Sequence, residues 1–155
     1  MSFLIRPATI DDAQVLFDWR NDEVTRANSI NTNPVEWDGH VAWLGRVVDG
    51  SNPNRALYVV ETDEGDGVGT VRTDRTEDGA YEISYTVAPA WRGKGVGKAM
   101  VVQFAQEHLT GEKILATIKK GHVPSESIAR ALGLSPVQEI PSEDATDPRP
   151  MVEWR

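Results

Sequence analysis

Two apolar rhythms alternate along the chain, one repeating every second residue and one every third or fourth. Phe3-Leu4-Ile5 is a short apolar run closed by Pro7, which predicts an opening strand. Thr9-Ile10-Asp11-Asp12 sets a hydroxyl three residues before an acid, the spacing of a capping box, and predicts a helix to about Arg20 with Val15, Leu16 and Trp19 on its apolar side. Asn21-Asp22 ends that pattern, and the polar run from Asn28 to Pro34 predicts an irregular connection. Trp37, Val41, Leu44 and Val48 then fall on one stripe, with His40, Trp43 and Val47 beside it, so a second helix is expected up to Gly50.

The middle of the chain changes rhythm. Residues 57–60 and 68–74 read as strands joined by the turn Asp63-Glu64-Gly65-Asp66-Gly67, and Glu77-Asp78-Gly79 leads into a third strand over residues 80–88. Three consecutive antiparallel strands are the expectation. From Val96 to Leu109 the residues Met100, Val101, Phe104, Ala105 and Leu109 recur at helical spacing. Residues 114–118 read as a compact apolar strand, Ser125 to Leu132 as a short helix stopped by Gly133, and residues 137–140 and 151–154 as a final pair of strands.

Composition narrows the reading. At 155 residues the chain fits a single domain spanning 1–155, without repeats or an internal linker. Its 16 Lys plus Arg against 24 Asp plus Glu leave a net charge of −8, which argues against nucleic-acid or anionic-membrane partners. With no cysteine the chain carries neither disulfide nor thiolate chemistry, and its three scattered histidines lack metal-ligand spacing, so no metal is expected. No long apolar run opens the chain, and a cytoplasmic location is the expectation.

Against that acidic background stands Trp91-Arg92-Gly93-Lys94-Gly95-Val96-Gly97-Lys98, a glycine-rich cationic turn between a strand and a helix. Glycines admit positive φ and close backbone approach, and a helix N-terminus offers unpaired N–H groups with partial positive charge. The product is an anion cradle to which Arg92, Lys94 and Lys98 add formal charge. A P-loop reading fails, because Arg92 stands where its first glycine belongs and Ala99 offers no hydroxyl to magnesium. A dinucleotide fingerprint is weak, because Lys98 ends the pattern and antiparallel hairpins precede it.

The remaining pattern is Arg-x-x-Gly-x-Gly, formed by Arg92, Gly95 and Gly97 after a strand ending Val87-Ala88-Pro89. In this the chain resembles the GCN5-related N-acetyltransferase (GNAT) superfamily. The resemblance implies an α/β fold of the α+β kind: a mixed, mostly antiparallel sheet of roughly six to seven strands, flanked by about four helices and splayed between the fourth and fifth strands. It implies acetyl-CoA as donor, with pantetheine near Thr86 and Val87, pyrophosphate on Arg92, Gly93, Lys94, Gly95, Val96, Gly97 and Lys98, and His122 and Ser125 beside the cofactor. Where family members carry a tyrosine that protonates the departing thiolate this chain has Ala129, so Tyr85, Ser125 or water is the expected donor.

The N-terminal half is similar to acetyltransferases acting on 4-amino-sugar nucleotides and, more distantly, to those acting on ribosomal-protein N-termini. That similarity rests on Trp19-Arg20-Asn21-Asp22 and His40-x-x-Trp43-Leu44, and it implies acceptor contacts from Trp19, Asn21, Asp22, His40 and Trp43. A small-molecule amine such as a nucleotide sugar is the expected partner, with a homodimer as the assembly to look for. Glu82, on the strand before the glycine turn, and His40, on the acceptor side, are the candidate bases. The competing readings are a solvated strand carboxylate for Glu82 and a packed helix histidine for His40. Asp22 could instead pair with Arg26, one helical turn away. A CoA-binding module without catalysis, motivated by Ala129 and His122, and a small oxidoreductase are the alternative classes.

Overall fold

The computed structural model describes residues 2–155. Its centre is a seven-stranded sheet in the order β1-β2-β3-β4-β5-β7-β6. The strands are β1 (Leu4–Pro7), β2 (Arg55–Glu61), β3 (Gly67–Arg75), β4 (Tyr81–Val87), β5 (Ile114–Lys119), β6 (Pro136–Ile140) and β7 (Met151–Trp154). Every neighbouring pair is antiparallel except β4 and β5. Alternation along β2 builds the layers: Leu57 and Val59 face one side, Tyr58 and Val60 the other. The first face is covered by α1 (Ala13–Asn21) and α3 (Trp37–Val48) through Leu16, Trp19 and Leu44, the second by α4 (Val96–His108) and α5 (Val123–Ala131) through Met100, Phe104 and Ile128.

Three elements depart from the sequence pattern. The capping contact at Thr9 forms, its N–H donating to the Asp12 carboxylate at 2.7 Å, but the first turn is a 3-10 turn over Ile10–Asp12 and α1 begins at Ala13. Asp12 is buried there because Arg6 grips both its oxygens at 2.8 and 2.9 Å. Between Asn21 and the polar run from Asn28 to Pro34, which is irregular as expected, lies a further helix, α2 (Glu23–Ala27). Its N-cap is Asp22, whose carboxylate accepts the N–H groups of Val24 and Thr25 at 3.1 Å each. A helix of five residues is too short to show an apolar period, so only its cap could have announced it. The helix expected from Ser125 opens at Val123, with Pro124 in its first turn.

The sheet is continuous only up to the middle of β4. β4 and β5 pair at Tyr81–Ile114 and Glu82–Leu115 and then part. Beyond that point β4 runs on beside β3 alone, while Ala116 to Lys119 pair with β7. A wedge-shaped gap opens between residues 83–87 and 116–119. Among the described residues no helix is long and apolar enough to cross a membrane, and no group of three or more His, Asp or Glu side chains is placed to hold a metal ion.

Candidate active site

The gap exposes backbone. In an antiparallel pair the N–H and C=O of one residue point to the same side, and the sides alternate. The Ala88 N–H bonds Val68 O on β3 at 2.8 Å, whereas the Tyr81 N–H bonds Lys113 O on the opposite side at 2.8 Å. Even-numbered residues of β4 therefore serve β3, and the N–H groups of Tyr85 and Val87 face the gap with no strand to receive them. An extended amide-bearing chain could pair there as a strand would. Thr86 was expected among the pantetheine contacts, but its backbone points to β3: a Cβ on Gly69 would come within 2.3 Å of Thr86 O. Only its side chain is turned toward the site.

At the wide end of the gap lies the glycine turn. Gly93 and Gly95 both adopt φ of 73°, the left-handed region, and Gly95 is the N-cap of α4. Gly97 is helical instead, and its role is contact, since a Cβ there would meet Val87 Cγ2 at 3.1 Å. The missing side chain lets the first turn of α4 sit against β4, where the N–H groups of Val96, Gly97 and Lys98 lack helical partners. With the turn exposed and a groove of about 820 Å³ running from it along the gap, the residues fit a phosphate-bearing, amide-containing donor. The formal charge is less concentrated than the sequence suggests. The Arg92 guanidinium pairs with Asp22 and donates to Thr25 Oγ1 at 2.7 Å, and Lys94 sits 5.3 Å from the Trp91 ring, away from the groove. Lys98 is the lysine of the turn that lines it.

Inside the groove three side chains form one hydrogen-bonded row. Tyr85 Oη lies 2.6 Å from Ser125 Oγ, which lies 2.7 Å from His122 Nδ1. Burial raises the Tyr85 phenol above its ordinary pKa, with the Ser125 bond opposing it. Burial, with the charge of Arg149, lowers that of His122, against the opposing charge of Glu126, so the imidazole is neutral at pH 7. Ala129 is buried behind the row and supplies no polar group.

A second cavity, of about 490 Å³, opens on the opposite face of the sheet between α1, α3 and β2–β4. Trp19, His40 and Trp43 line it, with Arg20 and Arg72. Ser84, Tyr85 and Thr86 line both this cavity and the groove, so the two meet on β4.

Residues 2–135 match the family described as Acetyltransferase (GNAT) domain. The chain belongs to the GNAT acetyltransferases. This GNAT chain has the family's fold, and acetyl-CoA is the donor that the family uses. No curated protein sequence matches it. Among solved structures it is similar to a ribosomal-protein-alanine N-acetyltransferase from Brucella melitensis (22% identity, 97% of each chain, TM-score 0.79). It is also similar to a spermidine N-acetyltransferase from Vibrio cholerae in complex with CoA and spermine (15% identity, 98% of this chain and 93% of that one, TM-score 0.81). A Salmonella typhimurium protein assigned as an acetyltransferase and solved with acetyl-CoA gives 20% identity over 99% and 92% of the two chains, with a TM-score of 0.77.

The structure sorts the GNAT chain's predicted site residues. Tyr85, Ser125 and His122, singled out separately, form one row, and Trp19, His40 and Trp43 share one cavity. Asn21 and Asp22 do not join them. Asn21 is bonded through both ends of its amide to the backbone of Val35, at 2.8 and 3.0 Å, and Asp22 is occupied as a helix cap and as the partner of Arg92 rather than Arg26. Glu82 lines neither space; it sits where β4 and β5 still pair and accepts the Thr117 hydroxyl at 3.1 Å. His40 is buried, its Nε2 bonded to the Ala13 carbonyl at 2.9 Å. A carbonyl only accepts, so Nε2 carries a hydrogen in this contact.

Three residues escaped the sequence reading. Lys119, almost fully buried at the end of β5, donates to Ala27 O at 2.8 Å and Asp147 at 2.6 Å, tying the β6–β7 loop to α2 over the groove. Its only signal was a lysine directly after an apolar strand. Arg20 stood between two chosen positions, and Arg72 broke the apolar run of β3.

Proposed function

We propose that the protein moves the acetyl group of acetyl-CoA onto the primary amine of a small acceptor, the donor lying in the β4–β5 gap and the acceptor in the cavity beneath α1 and α3. The observation that carries this reading is the convergence of the two spaces on Ser84, Tyr85 and Thr86. A reaction between two bound molecules needs them held together, and such placement supplies much of the rate.

Each step has a residue suited to it. The N–H of Val87 faces the gap and polarises the thioester carbonyl. Of the two candidate bases the geometry favours His40, which lines the acceptor cavity and has only its Nε2 engaged by the Ala13 carbonyl, over Glu82, which lines neither space. Tyr85 reaches into the groove beside Ser125 and serves as the donor to the departing thiolate in this reading, Ala129 offering no hydroxyl. The likeness of the N-terminal half to sugar-nucleotide enzymes suggests a 4-amino-sugar nucleotide as acceptor. A peptide N-terminus is the second reading, favoured by the similarity to a ribosomal-protein-alanine acetyltransferase.

Calorimetric titration with acetyl-CoA, followed by thiol release over UDP-linked 4-amino sugars, short peptides and simple amines, tests the reading. Saturable binding with amine-dependent thiol release is expected; binding without release on any amine would leave a non-catalytic CoA module. For the base, His40→Gln is expected to lower kcat by about 10²-fold with the acetyl-CoA KM little changed, and Glu82→Gln to stay within a few-fold. The opposite ranking would return the role to Glu82.

A further inference from the structure

The acceptor cavity is built from aromatic and aliphatic side chains, yet two guanidinium groups enter it and only one carboxylate, the exposed Glu36 at its rim. Arg20 is the unusual one. Its Nη2 donates to the Asn31 carbonyl at 2.9 Å, while its Nη1 is buried without a partner. Arg20 takes part in none of the ion pairs among the described residues. Beside it Arg72 spends its Nε on Asp74 at 3.0 Å, which leaves its two terminal nitrogens for the cavity. Burial, with the charges of Arg72 and Arg26, lowers the pKa of the Arg20 guanidinium, which nonetheless stays charged at neutral pH. A buried cation with an unmet donor is costly, and an oxyanion seated beside Arg20 would offset part of that cost by pairing with its charge.

The position of the pair says which part of the ligand that is. Arg20 and Arg72 line the acceptor cavity and also the donor groove, so they stand at the junction where the amine must meet the thioester. We propose that the acceptor is an amine that also carries an oxyanion, held by Arg20 and Arg72 next to the reacting nitrogen, with its apolar part against Trp19 and Trp43. This rests on the acetyltransferase reading above and narrows its substrate class. Two oxyanions share the chemistry, a carboxylate near the amine and the diphosphate of a nucleotide sugar. Guanidinium groups bind either through paired N–H donors. A polyamine, cationic along its length, is the acceptor such a cavity rejects.

The test uses matched pairs on the full chain with saturating acetyl-CoA: L-phenylalanine against 2-phenylethylamine, and a UDP-linked 4-amino sugar against the same sugar without the nucleotide, with spermidine as the cationic control. At least one oxyanion-bearing member is expected to exceed its partner in kcat/KM by about 10-fold or more. Which pair shows the preference identifies carboxylate or diphosphate. Arg20→Met, and independently Arg72→Gln, should erase that preference, lowering kcat/KM for the oxyanion-bearing amines about 10-fold more than for their oxyanion-free partners. A binding arm covers acceptors outside the panel: tryptophan fluorescence of the CoA-saturated protein, titrated with phenylacetate and inorganic pyrophosphate, should report at least one binding about 10-fold more weakly to Arg20→Met. No preference in any pair, spermidine as the best acceptor, equal slowing of all amines by the variants, or anion binding that the variants do not weaken would each overturn the proposal and leave acetyl transfer standing. Absence of acetyl-CoA binding in wild type would overturn both.

Discussion

Tyr85 shows how a single side chain carries two constraints. It closes the core on the α4 face and reaches Ser125 across the groove at 2.6 Å. Its phenol sits above its ordinary pKa of 10.0, because burial penalises the charged form more than the Ser125 bond helps it. On the proposed reading Tyr85 donates a hydrogen bond to the departing sulfur, its phenol being a poorer acid than a free tyrosine because it is buried. Tyr85→Phe should lower kcat by about 10-fold with little change in the acetyl-CoA KM, and Ser125→Ala should do so less. A 10³-fold loss would mean that proton transfer matters after all. Gly69 is a second single-residue constraint. A Cβ there meets Thr86 O at 2.3 Å and Met100 at 3.0 Å, so Gly69→Ala should destabilise the fold by about 2–3 kcal/mol in urea unfolding. An unchanged midpoint would show that β3 and β4 can separate at that point.

At the level of elements, what could be read from the chain depended on length and period. The strands and the long helices follow their apolar patterns closely, and the strand–glycine turn–helix unit falls where Val87 to Lys98 predicts. The five residues of α2 carry no period, and its cap, Asp22, resembled an acceptor contact because the sequence could not show that Arg92, 70 positions away, would claim it. For the same reason Asn21 looked functional when it fastens the connection to Val35. Long-range side-chain pairing is what a linear reading lacks, and the Tyr85–Ser125–His122 row, which spans 40 positions between its first two members, is another case. Asp22→Asn should thus weaken α2 and raise the acetyl-CoA KM by a few-fold, leaving the amine KM unchanged; steady-state kinetics in both substrates would tell these apart. The Arg6–Asp12 clamp at the start of α1 gives a pH prediction. Its hydrogen bonds to Arg6 hold the Asp12 carboxyl below the ordinary value of 3.8. A carboxyl lowered in the folded state contributes stability that is present above its unfolded pKa and is lost as pH falls through the folded one. Stability should fall below about pH 4, and less steeply in Asp12→Asn, as thermal melts across pH 2–6 would show.

The whole molecule is acidic, with a net charge of −8, although the donor that its family uses carries phosphates. The attraction must then be local: helix N-terminal amides, Lys98 and a groove whose opposite wall holds Lys119 in buried ion pairing. Binding in the groove between α4, α5 and β4, as proposed, would tie both sides of the splayed sheet together. Acetyl-CoA at about 100 times its Kd should stabilise the fold by roughly 2.7 kcal/mol and raise Tm by about 5–10 °C. On the proposed reading, two spaces on opposite faces of the sheet serve one reaction because they meet at Ser84 to Thr86. Steady-state thiol release from acetyl-CoA, with donor and amine varied together, tests it most directly. Release should depend on amine and saturate in both substrates, through a ternary complex with intersecting double-reciprocal lines. Thiol release independent of any amine, or parallel lines showing that donor and acceptor are never bound together, would contradict it.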